Sequence, residues 1–128
     1  MWHAQTLLPE VRGDGHVACL LSEGVGGLDA LILHAATGEV PVDFLKASRA
    51  WPEEEWVDTR ERLRERGLLD GDSLSPEGIL LRRHIEDRTD RLALPAYAAL
   101  GDADCERLAE LASPFGRAVV EAGLLKLG

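Results

Sequence analysis

The chain has 128 residues, 45% of them apolar, and a formal net charge of −9. That length supports one cooperative core rather than two. The charge opposes contact with a phosphate backbone, whose binding runs on neutralisation by Lys and Arg. No apolar run approaches the roughly 18 residues of a spanning helix, and the start lacks the basic and apolar blocks of a secretory leader. A soluble, cytoplasmic protein without a membrane partner is therefore expected. Cys19 and Cys105 stand far apart with no paired spacing, which predicts reduced thiols, Cys19 as a small core residue.

Helical signals run through almost the whole chain. Residues 2–11 predict a short helix that Gly13-Asp14-Gly15 breaks before another opens at His16-Val17-Ala18. The apolar segment from Leu28 to Ala36 ends at Thr37-Gly38, a natural helix stop because glycine accepts a positive φ. Pro41 opens a helix to about Ala47, and Pro52 sits in the first turn of the next, where its missing N–H costs nothing. That helix closes on Arg66-Gly67. A short strand-turn through Leu69-Asp70-Gly71-Asp72-Ser73-Leu74 follows, and Ser75 caps a long helix from Pro76 that Pro95 limits near Leu94. Asp102 to Lys126 reads as one or two amphipathic helices interrupted near Pro114 and Gly116.

The order helix, Gly-ended turn, short hairpin and long helix is that of a winged helix-turn-helix domain, mainly α with a reduced β-wing. One domain over 1–128 is expected, with a core at about 28–94 and flanking helices at about 2–23 and 96–126. On the candidate recognition helix, at about 100° per residue, Trp56, Arg60 and Leu63 share the inner side with Gly67. Glu54, Asp58, Glu61 and Glu65 form the outer stripe. In a duplex reader that stripe would enter the major groove, where Arg, Lys, Asn and Gln make most base contacts. The wing, Asp70-Gly71-Asp72-Ser73, offers no cation to hold phosphate. Trp51 and Trp56 are expected beneath this motif as aromatic anchors. Arg82, Arg83, His84, Arg88 and Arg91 are interleaved with Glu86, Asp87 and Asp90, a pattern for a salt-bridged helix surface.

RLRERGLL followed by LSPEG resembles the winged-helix core of MarR-type transcriptional regulators, over roughly half the chain from about Leu28 to Leu94. That resemblance implies a homodimer held by the first helix and the last two. Trp2-His3-Ala4, Arg12-Gly13-Asp14-Gly15-His16-Val17-Ala18, Leu33-His34-Ala35-Ala36-Thr37-Gly38 and Arg88-Thr89-Asp90 are similar to the C-terminal half of a group of longer bacterial helix-turn-helix proteins. Members of that group generally carry a further helical region before the equivalent of Trp2, so the resemblance implies either a shortened natural form or a trimmed piece of such a protein.

Three of the four histidines, His3, His16 and His34, lie in the first third of the chain, and Asp14 precedes His16 by two residues. A carboxylate beside an imidazole fixes its tautomer or raises its basicity, and the glycines around Asp14 permit close approach of a ligand. Asp14 also suits a plain helix cap, and His34 a core histidine bonded to a carbonyl. The histidine spacings match no compact metal motif, no nucleophile signature such as GxSxG is present, and no cofactor is called for.

Two functional readings follow. In one, a winged helix with weakened or lost duplex reading binds or transforms a small molecule in a His/Asp-lined pocket among its first three helices. His16 or His34 serves as acid or base, Asp14 orients it, and Trp2, His3 and Arg12 bind the ligand. In the other, a ligand-responsive regulator binds duplex DNA as a homodimer, presenting Arg49, Arg60, Arg62 and Arg66 to phosphates.

Overall fold

The computed structural model describes residues 2–123, with side chains described for residues 6–47 and 49–123. Along them run α1 (Trp2–Ser22), α2 (Gly27–Ala35), α3 (Val42–Arg49), α4 (Glu53–Glu65), β1 (Leu69–Asp70), β2 (Ser73–Leu74), α5 (Pro76–Leu100) and α6 (Asp102–Glu121). The fold is mainly α, a winged helix-turn-helix with a two-stranded antiparallel wing. The backbone divides into a central unit, Ala18–Asp87, and a terminal unit made of the chain up to Val17 with the chain from Arg88 onward. Helices α1 and α5 contribute residues to both.

The central unit is held by an apolar cluster. Leu28, Ile32 and Leu33 from α2 recur at helical spacing and pack with Trp56 and Leu63 of α4, Leu68 and Leu69 before the wing, and Cys19 and Ile85. Trp56 is 2% exposed and Leu63 fully buried. Side chains of this size contribute roughly 2–3 kcal/mol each on leaving water. Trp51, in contrast, is 41% exposed and does not pack under the motif as its position beside Pro52 suggests. Between α3 and α4 the chain turns through Ala50 at φ 51, left-handed backbone that disfavours a residue with a Cβ.

Helix α4 ends in a Schellman arrangement. Gly67, at φ 73, donates its N–H to the Arg64 carbonyl at 2.8 Å, and Leu68 donates to Leu63 at 2.9 Å. The wing follows at once, with Leu69 opposite Leu74 and Asp70 opposite Ser73. Its two-residue tip, Gly71-Asp72, places Gly71 at φ 61, as the favoured hairpin turns require. Ser75 then ties the wing to α5. Its hydroxyl donates to the Gly67 carbonyl at 2.6 Å and accepts the Gly78 N–H at 2.9 Å.

In the terminal unit, α1 continues through Gly13-Asp14-Gly15 where a break is expected from the sequence. Helix-interior glycine costs about 1 kcal/mol, but Gly15 has a packing use: a Cβ there would stand 3.2 Å from the Leu92 Cβ of α5. Helix α5 likewise passes Pro95 and ends at Leu100, and α6 passes Pro114 and Gly116 uninterrupted. Each proline forfeits one backbone hydrogen bond, yet the ladder resumes on either side. No single helix among the described residues is long and apolar enough to cross a membrane.

Gly78 is the tightest point of the chain. A Cβ at this position would lie 2.2 Å from the Leu68 carbonyl oxygen. Alanine gains at most about 1 kcal/mol of helix propensity, whereas forcing a methyl group onto packed backbone costs about 3 kcal/mol. Gly78→Ala is therefore expected to lose about 2 kcal/mol of unfolding free energy in urea titration, and an unchanged midpoint would contradict this packing.

Candidate functional site

The helix-turn-helix proper is α3, the turn at Ala50-Trp51-Pro52, and α4, with the wing beside it. Its cations are Lys46, Arg49, Arg60, Arg62, Arg64 and Arg66. Lys46 donates to both carboxylate oxygens of Glu53 at 2.6 Å and lies 5.5 Å from the Trp56 ring centroid. Arg60 pairs with Asp72 at the wing tip, 3.4 Å away, and Arg64 reaches the same carboxylate at 3.3 Å. Arg64 also donates to Glu61 and to the Gly71 carbonyl, each at 3.0 Å. Arg66 turns back to the carbonyls of Gly24, at 3.1 Å, and Glu23, at 3.5 Å. Among the described residues, Arg49 is the one cation of this set that makes no ion pair or hydrogen bond; it is exposed.

Arg62 has the most constrained partner. Asp29 is buried, and one carboxylate oxygen accepts from Arg62 at 2.5 Å while the other accepts the Gly26 N–H at 2.8 Å. A single side chain thus caps the start of α2 and fastens it to α4. The carboxylates of the outer stripe are arranged differently. Glu54, Asp58, Glu61 and Glu65 are all exposed, as their spacing predicts, and only Glu61 has a cation partner among the described residues.

These contacts differ in how easily they yield. Exposed pairs such as Arg60 with Asp72 contribute roughly 0.2–1 kcal/mol, so a phosphate could draw those arginines away. Removing Arg62 from a buried carboxylate leaves a charge without compensation and costs about 3 kcal/mol or more. Glu54, Asp58 and Glu65 keep exposed charges with no cation partner among the described residues. Repulsion from the exposed carboxylates, more than the pairing, sets the electrostatic character of α4.

The terminal unit gathers a second set of polar groups. Arg12 and His16, four residues apart on α1, lie on one face. Arg12 donates to Asp90 at 3.3 Å, and His16 Nδ1 meets the Thr89 hydroxyl at 3.1 Å. Thr89 is fully buried. Asp14 stands two residues from His16, on the other side of a continuous helix, and is exposed. It neither caps a helix nor orients His16, because the break that would have turned it inward does not form. His34 belongs to the central unit, where its carbonyl accepts the Thr37 hydroxyl at 2.7 Å and its side chain is half-buried. The side chains of Trp2 and His3 lie outside the described residues. No group of three metal-ligating side chains occurs among the described residues. His84, in the interleaved basic run, pairs with Glu23 at 3.3 Å.

The helix pair α3–α4, its Gly67 stop and the following hairpin are the elements of a helix-turn-helix, and a helix-turn-helix family model matches residues 1–126. The chain belongs to this helix-turn-helix family. No curated protein and no solved structure matches it. The family match takes in the terminal unit of this helix-turn-helix protein as well as the central one.

Reading the residues alone passes over Asp29, Asp72, Arg64 and Thr89. Asp29 sits in an apolar helix, where an acidic third residue is a capping signal. Asp72 counts as one more wing charge until the hairpin brings it beside Arg60 and Arg64. Thr89 and Asp90 stand inside the Arg88-Thr89-Asp90 motif, the one advance sign that this part of α5 matters. The two bonds of Asp29 can be separated by substitution. Asp29→Asn keeps an acceptor for Gly26 and should cost about 1 kcal/mol. Asp29→Ala loses cap and ion pair together and should cost about 3 kcal/mol. Equal losses in chemical unfolding would show that the Gly26 cap contributes nothing, and an unchanged stability of Asp29→Asn that the charge on the arginine contact contributes nothing.

Proposed function

We propose that this helix-turn-helix protein has weakened or lost duplex reading and works as a homodimer that binds a small molecule within its terminal unit. The observation that carries the reading is the charge arrangement of α4: Glu54, Asp58 and Glu65 exposed, and Arg60, Arg62, Arg64 and Arg66 held by carboxylates or carbonyls of the same chain. A recognition helix works by placing donors and cations against base edges and phosphates. This one leads with Glu53-Glu54-Glu55, and its wing tip ends in Asp72. The rest of the chain supplies no compensating excess, since its net charge is −9.

Small-molecule binding draws its support from the α1–α5 seam. Arg12 and His16 face Asp90 and Thr89, a polar cluster in a helical layer where packing alone needs none. His16 remains the candidate acid or base and Arg12 the candidate contact for a polar ligand group. Asp14, exposed on the other side of α1, has no such part. The homodimer draws on α6. All its 20 residues leave no side chain buried within one chain, and Phe115 and Val119, four residues apart, share one face of its C-terminal half. Phe115 is 59% and Val119 40% exposed. A second copy of the MarR-like terminal helices is the partner that covers them.

The second reading, a ligand-responsive MarR-type regulator on duplex DNA, is favoured by the family match and the order of α3, α4 and wing. Arg49 is its best-placed free cation. Anisotropy with labelled duplex DNA at low salt separates the two. Wild type is expected not to associate, while a variant carrying Lys at 54, 58 and 65 and Asp72→Asn gains binding that falls steeply with added salt. Tight, salt-sensitive binding by wild type would overturn the first reading. For the assembly, light scattering after gel filtration is expected to give twice the chain mass for wild type and the single-chain mass for Phe115→Glu, and a monomeric wild type would remove the dimer.

A further inference from the structure

Within the terminal unit, α1, α5 and α6 enclose a groove of about 230 Å³. Leu8 and Pro9 of α1 form one wall, and Tyr97 of α5 another. Helix α6 supplies Cys105 and Leu108, with Ala109 and Ala112 as a low floor. None of these residues is charged, so an ionic ligand would leave water without compensation. The two alanines present a flat surface, which suits a planar ring more than a branched chain. Space of this size takes roughly ten non-hydrogen atoms. Tyr97 is half-buried and its hydroxyl has no hydrogen-bond partner among the described residues, which leaves one donor and acceptor for a single polar group on the occupant. The Cys105 thiol is already directed to the Tyr97 carbonyl at 3.7 Å.

The groove also continues the polar seam. Leu8, Arg12 and His16 succeed one another at four-residue steps on α1, as Thr89, Ala93 and Tyr97 do on α5. The part of α6 that faces the groove, Cys105 to Ala112, is distinct from the exposed Phe115 and Val119 offered to a second copy.

We infer that this groove binds a neutral, planar aromatic molecule of about ten non-hydrogen atoms bearing one hydroxyl or amine, with Tyr97 as its polar contact. The inference rests on the small-molecule part of the proposed function and names where that molecule sits. It is bound by apolar burial, with the Tyr97 hydroxyl fixing its orientation. His16 and Arg12 lie beyond the groove lining and are not needed for it.

The test uses 1-naphthol as probe with the full chain under reducing conditions. Naphthol fluorescence is expected to report saturable binding at one site per chain. N-ethylmaleimide modification of Cys105, read by mass spectrometry, should slow at least tenfold at saturation, with buried Cys19 as the unreactive internal reference. Ala112→Phe, which fills the floor, should weaken binding at least tenfold, and His16→Ala should leave it within twofold. Protection of Cys105 in wild type decides the question even where Ala112→Phe does not fold. Absence of saturable binding, or saturation with Cys105 still reacting at its free rate, overturns the groove. Binding abolished by His16→Ala with Cys105 unprotected also overturns it while keeping the small-molecule reading. That reading fails separately if, in a thermal-shift screen, no compound raises the melting temperature of wild type.

Discussion

The carboxylate of Asp29 is the contact on which the central unit depends. It accepts from the Gly26 N–H at the opening of α2 and from Arg62 on α4, so the start of one helix and the middle of another are positioned by the same two oxygen atoms. With that relation set, Leu33 and Ile32 face Trp56 and Leu63, and the inner side of α4 is determined. The outer side follows by helical geometry alone. Burial of Trp56 and Leu63 points Glu54, Asp58 and Glu65 to solvent, because residues two or more positions off the apolar line have nowhere else to go. The same bond engages one guanidinium nitrogen of Arg62, whose side chain is otherwise 55% exposed.

The helix-turn-helix framework and the surface charge of α4 are set by different residues in this molecule. The Schellman end at Gly67, the two-residue hairpin and the Ser75 cap reproduce, element for element, what a helix-turn-helix needs to hold a recognition helix and a wing. Nothing in that framework requires cations on the outer face. A scaffold of this kind keeps its shape when the contact surface changes sign, since surface charge contributes little to stability beside a buried tryptophan. Fold membership and duplex reading are separable for that reason.

Much of the central unit was legible from residue types. Gly67, Ser75 and Pro76 each have one strong local preference, and each occupies the position that preference names, whereas Pro52 stands one residue before the first turn, at the N-cap of α4. The outer stripe was legible because helical periodicity is a local property. What lay beyond reach was mostly tertiary. Gly13-Asp14-Gly15 reads as a break on propensity, yet α1 runs through it, because Gly15 is where Leu92 of α5 comes close. Pro95 and Pro114 mislead in the same way. Continuity of α1 then sends Asp14 away from His16, so the expected pairing fails, while Thr89 and Asp90, more than 70 residues away in sequence, become the partners. The polar seam could be suspected from its motifs but not composed from them.

The close contact between Gly78 and the Leu68 carbonyl reaches beyond local packing. It clamps the base of the hairpin on both sides, with Ser75 bonded to Gly67 on one flank and α5 pressed against the chain before β1 on the other. Residues cannot be inserted at that base without dislodging α5. The Gly71-Asp72 tip, exposed and bonded only through exposed side chains and one carbonyl, is where this hairpin is free to grow. A longer wing fits this framework by extension at the apex, which leaves the junction with the long helix untouched.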